Sequence, residues 1–184
     1  MRRQRIAALA AVLALAAVLP LEADAQQNSQ LRGTWLLNRE QSDDVPAKIV
    51  EATRGMNAIV GPVARRRLRG TNTPYPRLVV HYDAQNVRVE MQDRPTATSP
   101  ANGQPVLWHR NTGEACARVS EDCVQLTTEW QNGRLVQSFR PEDGVRRNVY
   151  TVSPDGGTLT MAVTIESPRL PRPLTYNLVY TRGS

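Results

Sequence analysis

Three arginines close to one predicted hairpin are the side chains best suited to bind an anion. Arg140 ends one candidate strand, and Arg146 and Arg147 lie in the next. A buried guanidinium needs a partner, so an arginine that points into a cavity would meet an acidic ligand. Arginines in such strands more often lie on an outer face, and this alternative stays open. We take Arg140 and Arg147 as candidate ligand-binding residues, together with Tyr176 and Tyr180 on one face of the last candidate strand.

Catalytic and metal-binding chemistry has little support in the sequence. The only two histidines, His81 and His109, each lie in or beside an apolar strand candidate. A zinc site would need further ligands at helix or hairpin spacing. The sequence has no G-x-S-x-G elbow, no H-E-x-x-H motif and no glycine-rich phosphate loop. We therefore predict no metal, no cofactor and no catalytic residue, although a triad defined by geometry alone stays open.

A basic run ends the helix-compatible region of the chain. It comprises Arg65, Arg66, Arg67 and Arg69. Such a patch can bind anionic lipid, lipopolysaccharide or another polyanion. It can equally be a solvated face at a helix C-terminus. Nucleic acid is not expected, because the patch has no interleaved aromatic residues.

Residues 1–25 have the features of a secretory signal peptide. Three arginines precede an apolar stretch over residues 6–21, and Ala23-Asp24-Ala25 is an A-x-A cleavage site before Gln26. The stretch is shorter than the roughly 20 residues of a membrane-spanning helix, and no later stretch is long enough to span. No cysteine lies beside the cleavage site to receive a lipid. We expect Sec-type export to the periplasm or beyond, which leaves residues 26–184 as a single domain.

The only two cysteines lie close together in a chain that we expect to be exported. In an oxidising compartment, Cys116 and Cys123 predict a local disulfide. Residues 118–122 would form a hairpin tip, which would place the sulfurs on facing strands. Closing such a loop contributes roughly 2.5 kcal/mol on the chain-entropy account. Metal binding and redox exchange fit less well, since the spacing is not C-x-x-C.

Hydrophobic periodicity changes once along the chain. Residues 33–37 form a first strand candidate, and Pro46 then lies at the start of an amphipathic helical stripe. Gly55 and Gly61-Pro62 are expected to break this stripe into two or three short helices. After a linker over residues 70–76, apolar residues alternate with period two to the end of the chain.

About ten strands joined by tight turns indicate an up-and-down antiparallel β-barrel. Asn132-Gly133 is the strongest hairpin signal. Closing a long meander pairs the first strand with the last and removes exposed edges. We therefore predict a mainly β fold with short helices between the first and second strands. A two-sheet sandwich is the alternative, although its crossovers would need longer connections.

Gly33-Thr34-Trp35 resembles the G-x-W motif of the calycins, the superfamily of lipocalins and fatty-acid-binding proteins. The order of strand, short helices and long meander is more similar to the fatty-acid-binding branch, in which two helices cap a ten-stranded barrel. The chain is also similar to exported bacterial proteins that begin G-T-W-x-L-N followed by S-D, a resemblance that implies no particular activity. A barrel of this size can hold an interior cavity.

The chain departs from this branch at the last strand. The branch has an R-x-Y motif there that grips a carboxylate, whereas this chain has Tyr180-Thr181-Arg182, so the clamp is not carried over. In lipocalins a late arginine packs across the G-x-W tryptophan. The resemblance therefore implies that Gly33, Trp35 and Arg182 form the seam where the barrel closes. The branch is also normally intracellular, unlike a chain with an export signal.

These features lead to one main functional hypothesis and one alternative. We expect an exported, lipocalin-like barrel that binds a small, largely apolar or amphipathic molecule in its interior. One phenylalanine and three tryptophans leave few large side chains to fill that interior. The alternative is an envelope structural or interaction protein that uses the basic patch on an anionic lipid surface, with no small-molecule ligand. An enzyme is a third and unsupported reading.

Overall fold

A computed structural model describes residues 30–183. The signal peptide expected over residues 1–25 lies outside this part of the chain and stays a prediction. The described elements run, in chain order, β1 (Gly33–Asn38), α1 (Val45–Ala52), α2 (Val60–Thr71), β2 (Arg77–Tyr82), β3 (Asn86–Met91), β4 (Ala97–Pro100), β5 (Val106–His109), β6 (Cys123–Gln131), β7 (Arg134–Arg140), β8 (Val145–Val152), β9 (Thr158–Glu166) and β10 (Leu174–Arg182).

The ten strands form one antiparallel sheet that curls into a nearly closed barrel. Their order is β4-β3-β2-β1-β10-β9-β8-β7-β6-β5, so only the β1–β10 pair joins strands that are not neighbours in sequence. Across the gap, the Gly103 amide donates to the Thr128 carbonyl at 2.9 Å. The predicted up-and-down barrel with two helices after the first strand is confirmed. A continuous sheet excludes the two-sheet sandwich.

The β1–β10 pairing closes the barrel and covers one end of it. Trp35 lies opposite Arg182 in the register, and the guanidinium carbon of Arg182 lies 4.3 Å from the Trp35 ring centroid. The same guanidinium donates from Nε to the Gly156 carbonyl at 2.9 Å. Gly33 has a φ of +130°, and a Cβ there would lie 3.1 Å from Nη1 of Arg182. Trp35 is fully buried, so this end of the barrel is sealed.

The two helices arise from one amphipathic stripe that is interrupted once. The Asp44 side chain accepts a hydrogen bond from the Ala47 amide and caps α1, with Pro46 in the first turn. Gly55, with a φ of +95°, lies in the break between the helices. Gly61-Pro62 was expected to form a second break but lies in the first turn of α2. Proline is tolerated there, because the first-turn amides have no partner within the helix.

The predicted disulfide between Cys116 and Cys123 is present, with 6.2 Å between the Cα atoms. Cys123 begins β6, whereas Cys116 lies in the loop after β5 and not on a facing strand. The loop turns back on itself inside the disulfide, where the Ser120 amide donates to the Cys123 carbonyl at 2.8 Å. The disulfide therefore closes a compact loop at the end of the β5–β6 pair.

All nine aromatic side chains of the sequence lie in the core or pack against it. They are Trp35, Tyr75, Tyr82, Trp108, Trp130, Phe139, Tyr150, Tyr176 and Tyr180. The sequence predicts that few large side chains fill the interior, and the structure places these few almost entirely inside the barrel. The aromatic residues are few, but the inward face of the barrel receives almost all of them.

A candidate anion-binding cavity beneath the second helix

A cavity of about 220 Å³ lies at the open end of the barrel, between the C-terminal end of α2 and the inner faces of six strands. It is lined by Leu68, Thr71, Asn72, Tyr75, Met91, Arg94, Trp108, Arg110, Asn111, Val124, Phe139, Pro141, Arg146, Asn148 and Ile165. The lining contains three arginines and no carboxylate among the described residues. Because unlike charges attract over several ångströms, this cavity favours an anion.

Arg146 provides the inward-facing positive charge. Inward and outward residues alternate along β8, and Asn148, Tyr150 and Val152 are buried. Arg146 shares their face and is half-buried at the cavity wall. None of the ion pairs found between residues 30 and 183 includes it. Its charge is therefore met only by neutral groups.

Neutral side chains hold the Arg146 guanidinium in place. Its Nε donates to Oδ1 of Asn148, and its Nη1 donates to Oδ1 of Asn72, each at 3.0 Å. Asn72 also accepts from the Tyr176 hydroxyl at 3.0 Å, and its Nδ2 donates to the Leu68 carbonyl at 2.9 Å. These bonds link β8 and β10 to the end of α2.

The hydrogen bonds continue below Arg146 across the barrel interior. Asn148 donates to the Tyr150 hydroxyl at 3.3 Å, and this hydroxyl donates to Oε1 of Gln137 at 3.0 Å. Gln137 Nε2 then donates to the Thr128 hydroxyl at 3.2 Å, which also accepts from Ser99 at 2.5 Å. All five of these polar side chains are buried. Buried polar groups that are fully paired hold one arrangement of the core.

Burial controls the ionisation of the tyrosines around Arg146. It raises the pKa of Tyr150, Tyr176 and Tyr180 above the ordinary value for a phenol. The guanidinium opposes this at Tyr176 by lowering its pKa, but burial has the larger effect. Burial alone would lower the pKa of Arg146, whereas the oxygens of Tyr75 and the other tyrosines outweigh it and raise that pKa. At neutral pH the site therefore presents neutral phenols and a permanent cation.

The disulfide loop positions one wall of the cavity mouth. Arg110 pairs with Asp122, with 3.5 Å between Nε and Oδ1. Asn111 donates to the same Asp122 oxygen at 3.0 Å. Glu121 in this loop pairs with Arg67 of α2. The loop that Cys123 closes thereby holds two lining residues and contacts the helix above the cavity.

Comparison with solved structures relates this architecture to known proteins. Fatty-acid-binding protein 1 of Echinococcus granulosus has a TM-score of 0.52 at 16% identity, over 85% of this chain and 99% of that chain. A fatty acid binding protein of Schistosoma mansoni in complex with arachidonic acid has a TM-score of 0.51 at 18% identity, over 86% and 99%. A secretory abundant heat soluble protein of Ramazzottius varieornatus has a TM-score of 0.51 at 10% identity, over 84% and 96%.

The fold is that of a calycin-like barrel. These neighbours confirm the resemblance that the G-x-W motif and the order of elements indicated. No protein-family model and no curated protein matches the sequence. At such low identities the shared property is the fold, and the residues of the cavity are this chain's own.

The ligand-binding residues expected from the sequence lie in different places in this calycin-like barrel. Arg140 and Arg147 are exposed, and Nη2 of Arg147 donates to Oε1 of Gln131 at 3.0 Å. Tyr176 is buried, and its hydroxyl bonds to a cavity-lining side chain. Tyr180 lies deeper, and its hydroxyl has no hydrogen-bond partner among residues 30–183. Ligand binding by these four residues stays a prediction.

The sequence places Arg146 with Arg140 and Arg147 near one hairpin, but no local pattern selects Arg146 as the inward-facing arginine. The signal that could have done so is its spacing from Tyr150 and Val152, two large residues on the same face of β8. Val145 and Val149 lie on the opposite face, so both faces of this strand have apolar residues. Periodicity of two therefore separates Arg146 from Arg147 without showing which one points inward.

Neither histidine lines the cavity. His81 is exposed, with its Nε2 3.9 Å from a Glu90 oxygen, and His109 is half-buried at the end of β5. Within residues 30–183, no group of three His, Cys, Asp or Glu side chains is arranged to hold a metal ion. A catalytic cluster around a histidine inside the cavity is therefore not found in this part of the chain.

The basic patch is divided between three environments on α2. Arg65 is half-buried, and its Nη1 lies 3.4 Å from the Thr53 hydroxyl. Arg67 is paired with Glu121, whereas Arg66 and Arg69 are exposed. None of the helices in the described residues is long and apolar enough to cross a membrane.

Proposed function

We propose that this protein is an exported calycin-like barrel that binds a small amphipathic acid in the cavity beneath α2. The observation that carries the proposal is Arg146, a half-buried cation in a cavity wall with no ion-pair partner among the described residues. The acid group of the ligand would bind its guanidinium. The apolar part would contact side chains such as Met91, Val124 and Ile165.

The energetics favour an anionic partner at this position. The Nη2 group of Arg146 donates to no side chain or carbonyl in residues 30–183. A carboxylate can accept two parallel hydrogen bonds from a guanidinium. Hydrogen bonds to charged groups contribute about 1.5–3 kcal/mol each, so loss of this contact would weaken binding by about tenfold to a hundredfold.

The fold gives independent support to an apolar acid as ligand. The Schistosoma mansoni protein of the same fold is in complex with arachidonic acid. That protein is 18% identical to this chain, so its contacts are not transferred. The support is that both chains have the same barrel architecture, whose interior can bind an apolar molecule.

A pair of arginine variants tests the proposal. Arg146→Met and Arg147→Met remove the same charge from adjacent positions of β8 that face opposite sides. Each variant is titrated with octanoate and with 1-naphthoate by calorimetry. We expect Arg146→Met to weaken binding by about tenfold or more, and Arg147→Met to change it by less than about threefold.

The reverse order would contradict the role of Arg146 and support the outward arginine instead. If both variants bind the acids as tightly as the unaltered protein does, the proposal of an acid-binding site at Arg146 is wrong. Solvent extraction of the purified protein followed by mass spectrometry adds a second readout. An acidic molecule that co-purifies with the unaltered protein should be depleted in the Arg146→Met preparation.

Export is tested separately. The features of residues 1–25 support cleavage before Gln26, and a disulfide between Cys116 and Cys123 suits an oxidising compartment. Expression of the full chain in a bacterium should yield a periplasmic or secreted product whose first residue is Gln26. A cytoplasmic product that begins at Met1 would contradict export.

A second candidate function is attachment to an anionic lipid surface through α2. The exposed fractions of Ile59 and Val63 are 83% and 65%, and a helical repeat places both near Arg66 on the outer side. Exposed aliphatic side chains beside arginines are typical of helices that lie in a membrane interface. This feature is independent of the cavity and supports the alternative role.

Vesicle sedimentation tests this second candidate. Phosphatidylglycerol vesicles should bind the protein more strongly than phosphatidylcholine vesicles, and the variant Ile59→Asp with Val63→Asp should lose most of that binding. The control variant, Arg88→Ser with Arg134→Ser, removes two exposed arginines from the barrel wall. Binding that is lost equally in the control would indicate general electrostatic attraction and not α2.

A further inference from the structure

On each of four strands, only one inward-facing side chain lines the cavity, and the next inward-facing side chain lies beneath it. The lining side chains on these strands are Met91, Val124, Phe139 and Ile165. The next inward side chains are Val89, Leu126, Gln137 and Val163, with exposed fractions of 0–1%. None of these four side chains lines the cavity. The cavity therefore stops at this buried layer on the four strands.

The side chains of β8 complete this floor. Asn148 lines the cavity, whereas the next inward residue, Tyr150, does not and is 1% exposed. Tyr150 is held in place by Gln137 and Asn148 through hydrogen bonds of 3.0 and 3.3 Å. An acyl chain that entered from the mouth would have to displace this paired layer, which would leave buried polar groups unpaired.

The volume of the cavity limits the size of its ligand. Its 220 Å³ is below the roughly 300–1,000 Å³ of sites for drug-sized molecules. It exceeds the roughly 150 Å³ of an engineered protein cavity that holds benzene. A molecule with one or two rings suits this volume, and a long acyl chain does not.

The upper walls of the cavity are aromatic. The rings of Trp108 and Phe139 are 5.7 Å apart at 59°, and both line the cavity with Tyr75. Aromatic rings prefer offset or edge-to-face contacts with other rings at such distances. A planar ring packed against this pair of rings would gain contacts that a flexible alkyl chain of equal size would not.

We infer that the ligand of this cavity is a compact aromatic acid, not a long-chain fatty acid. The inference rests on the proposed function, because it assigns a class to the ligand whose acid group binds Arg146. The packed layer beneath the cavity leaves no room for a long acyl chain. The aromatic side chains that line the cavity favour a planar ligand. Arg94 also lines the cavity and adds positive charge near Arg146, whereas the charge of Arg110 is paired with Asp122.

Calorimetric titration of the unaltered protein, refolded from denaturant to remove bound molecules, tests the inference. The probes are 1-naphthoate, octanoate and palmitate, with uncharged 1-naphthalenemethanol as a control. We expect 1-naphthoate to bind at least about tenfold more tightly than palmitate, octanoate and the alcohol. The affinity for 1-naphthoate should fall at least about tenfold in Arg146→Met.

The outcomes separate this inference from the proposed function. Palmitate or octanoate binding as tightly as 1-naphthoate, and depending on Arg146, would overturn the aromatic class and leave the acid site standing. Binding of no acid, or binding that Arg146→Met does not alter, would overturn the proposed function and the inference with it.

A wall variant supplies a second test. Phe139→Leu replaces one ring with an alkyl group of moderate size. We expect it to reduce the affinity for 1-naphthoate about fivefold more than the affinity for octanoate. Equal reductions would overturn the role of the ring wall. The comparison of probes on the unaltered protein decides the class even if this variant does not fold.

Discussion

Arg146 on β8 donates a hydrogen bond of 3.0 Å to the side-chain oxygen of Asn72, the residue that follows α2. The same guanidinium lines the cavity. Arg146 therefore both holds the end of α2 and supplies the positive charge that a ligand would meet. This contact allows the charge of the site to be altered without removing Arg146.

Asn72→Asp should block the acid site from within. A carboxylate at this position would pair with Arg146 and compete with an acidic ligand. We expect the affinity for 1-naphthoate to fall at least about tenfold, as measured by calorimetry. Asn132→Asp is the matched control, since it adds the same charge in an exposed Asx-Gly turn that tolerates Asp. Unchanged affinity in Asn72→Asp would count against a ligand at Arg146.

Loss of the hydroxyl should affect the free energy of unfolding differently at two buried tyrosines. The Tyr180 hydroxyl has no partner within residues 30–183, whereas the Tyr150 hydroxyl bonds to Gln137 and Asn148. We expect Tyr180→Phe to leave the free energy of unfolding unchanged or raise it by up to about 1 kcal/mol. Tyr150→Phe should lower it by about 1–2 kcal/mol, because two buried partners lose a bond. Urea unfolding measures both, and equal losses would contradict the difference.

The disulfide should stabilise the fold and one wall of the cavity. Replacing Cys116 and Cys123 together with serine opens a loop that, when closed, contributes roughly 2.5 kcal/mol. We expect the free energy of unfolding to fall by about that amount. The reduced unaltered protein should match the double variant in urea unfolding. The double variant has no disulfide to reduce. If a reductant also destabilises the double variant, its effect on the unaltered protein cannot be assigned to the disulfide.

Stability should fall at alkaline pH because burial raises the pKa of Tyr150, Tyr176 and Tyr180. The ordinary value for these phenols is 10.0. A pKa that is higher in the folded state gives stability that is fully present below the unfolded value and is lost as the pH rises through the folded value. Phenolate absorbance of these residues should appear together with the loss of near-ultraviolet circular dichroism. Titration of all five tyrosines near pH 10 with the fold intact would contradict this.

The barrel could be predicted from the sequence because its signals are local. Alternation with period two and the Asn132-Gly133 turn indicated the meander, and the short spacing of the cysteines indicated the disulfide. Capping by Asp44 and the glycine at position 55 explained two helices instead of one. Each of these features depends on residues within a few positions of one another.

For the anion-binding cavity, the sequence could indicate only that one of several arginines near the β7–β8 hairpin points inward. Both faces of β8 carry apolar residues, and a shift of one residue in register would exchange Arg146 with Arg147. The partner that positions Arg146 is Asn72, which is 74 residues away in sequence. No local pattern connects these two residues.

The sequence by itself determined the strands, the two helices and the disulfide, since turn chemistry, capping and alternation act over short distances. Closure of the barrel determined the rest. It placed Arg182 over Trp35 across the whole domain, gathered nine aromatic side chains inside or against the core and left a small cavity walled by Arg146. These outcomes required the tertiary structure, because the face of each strand and the depth to which side chains fill the interior are set by packing between distant segments.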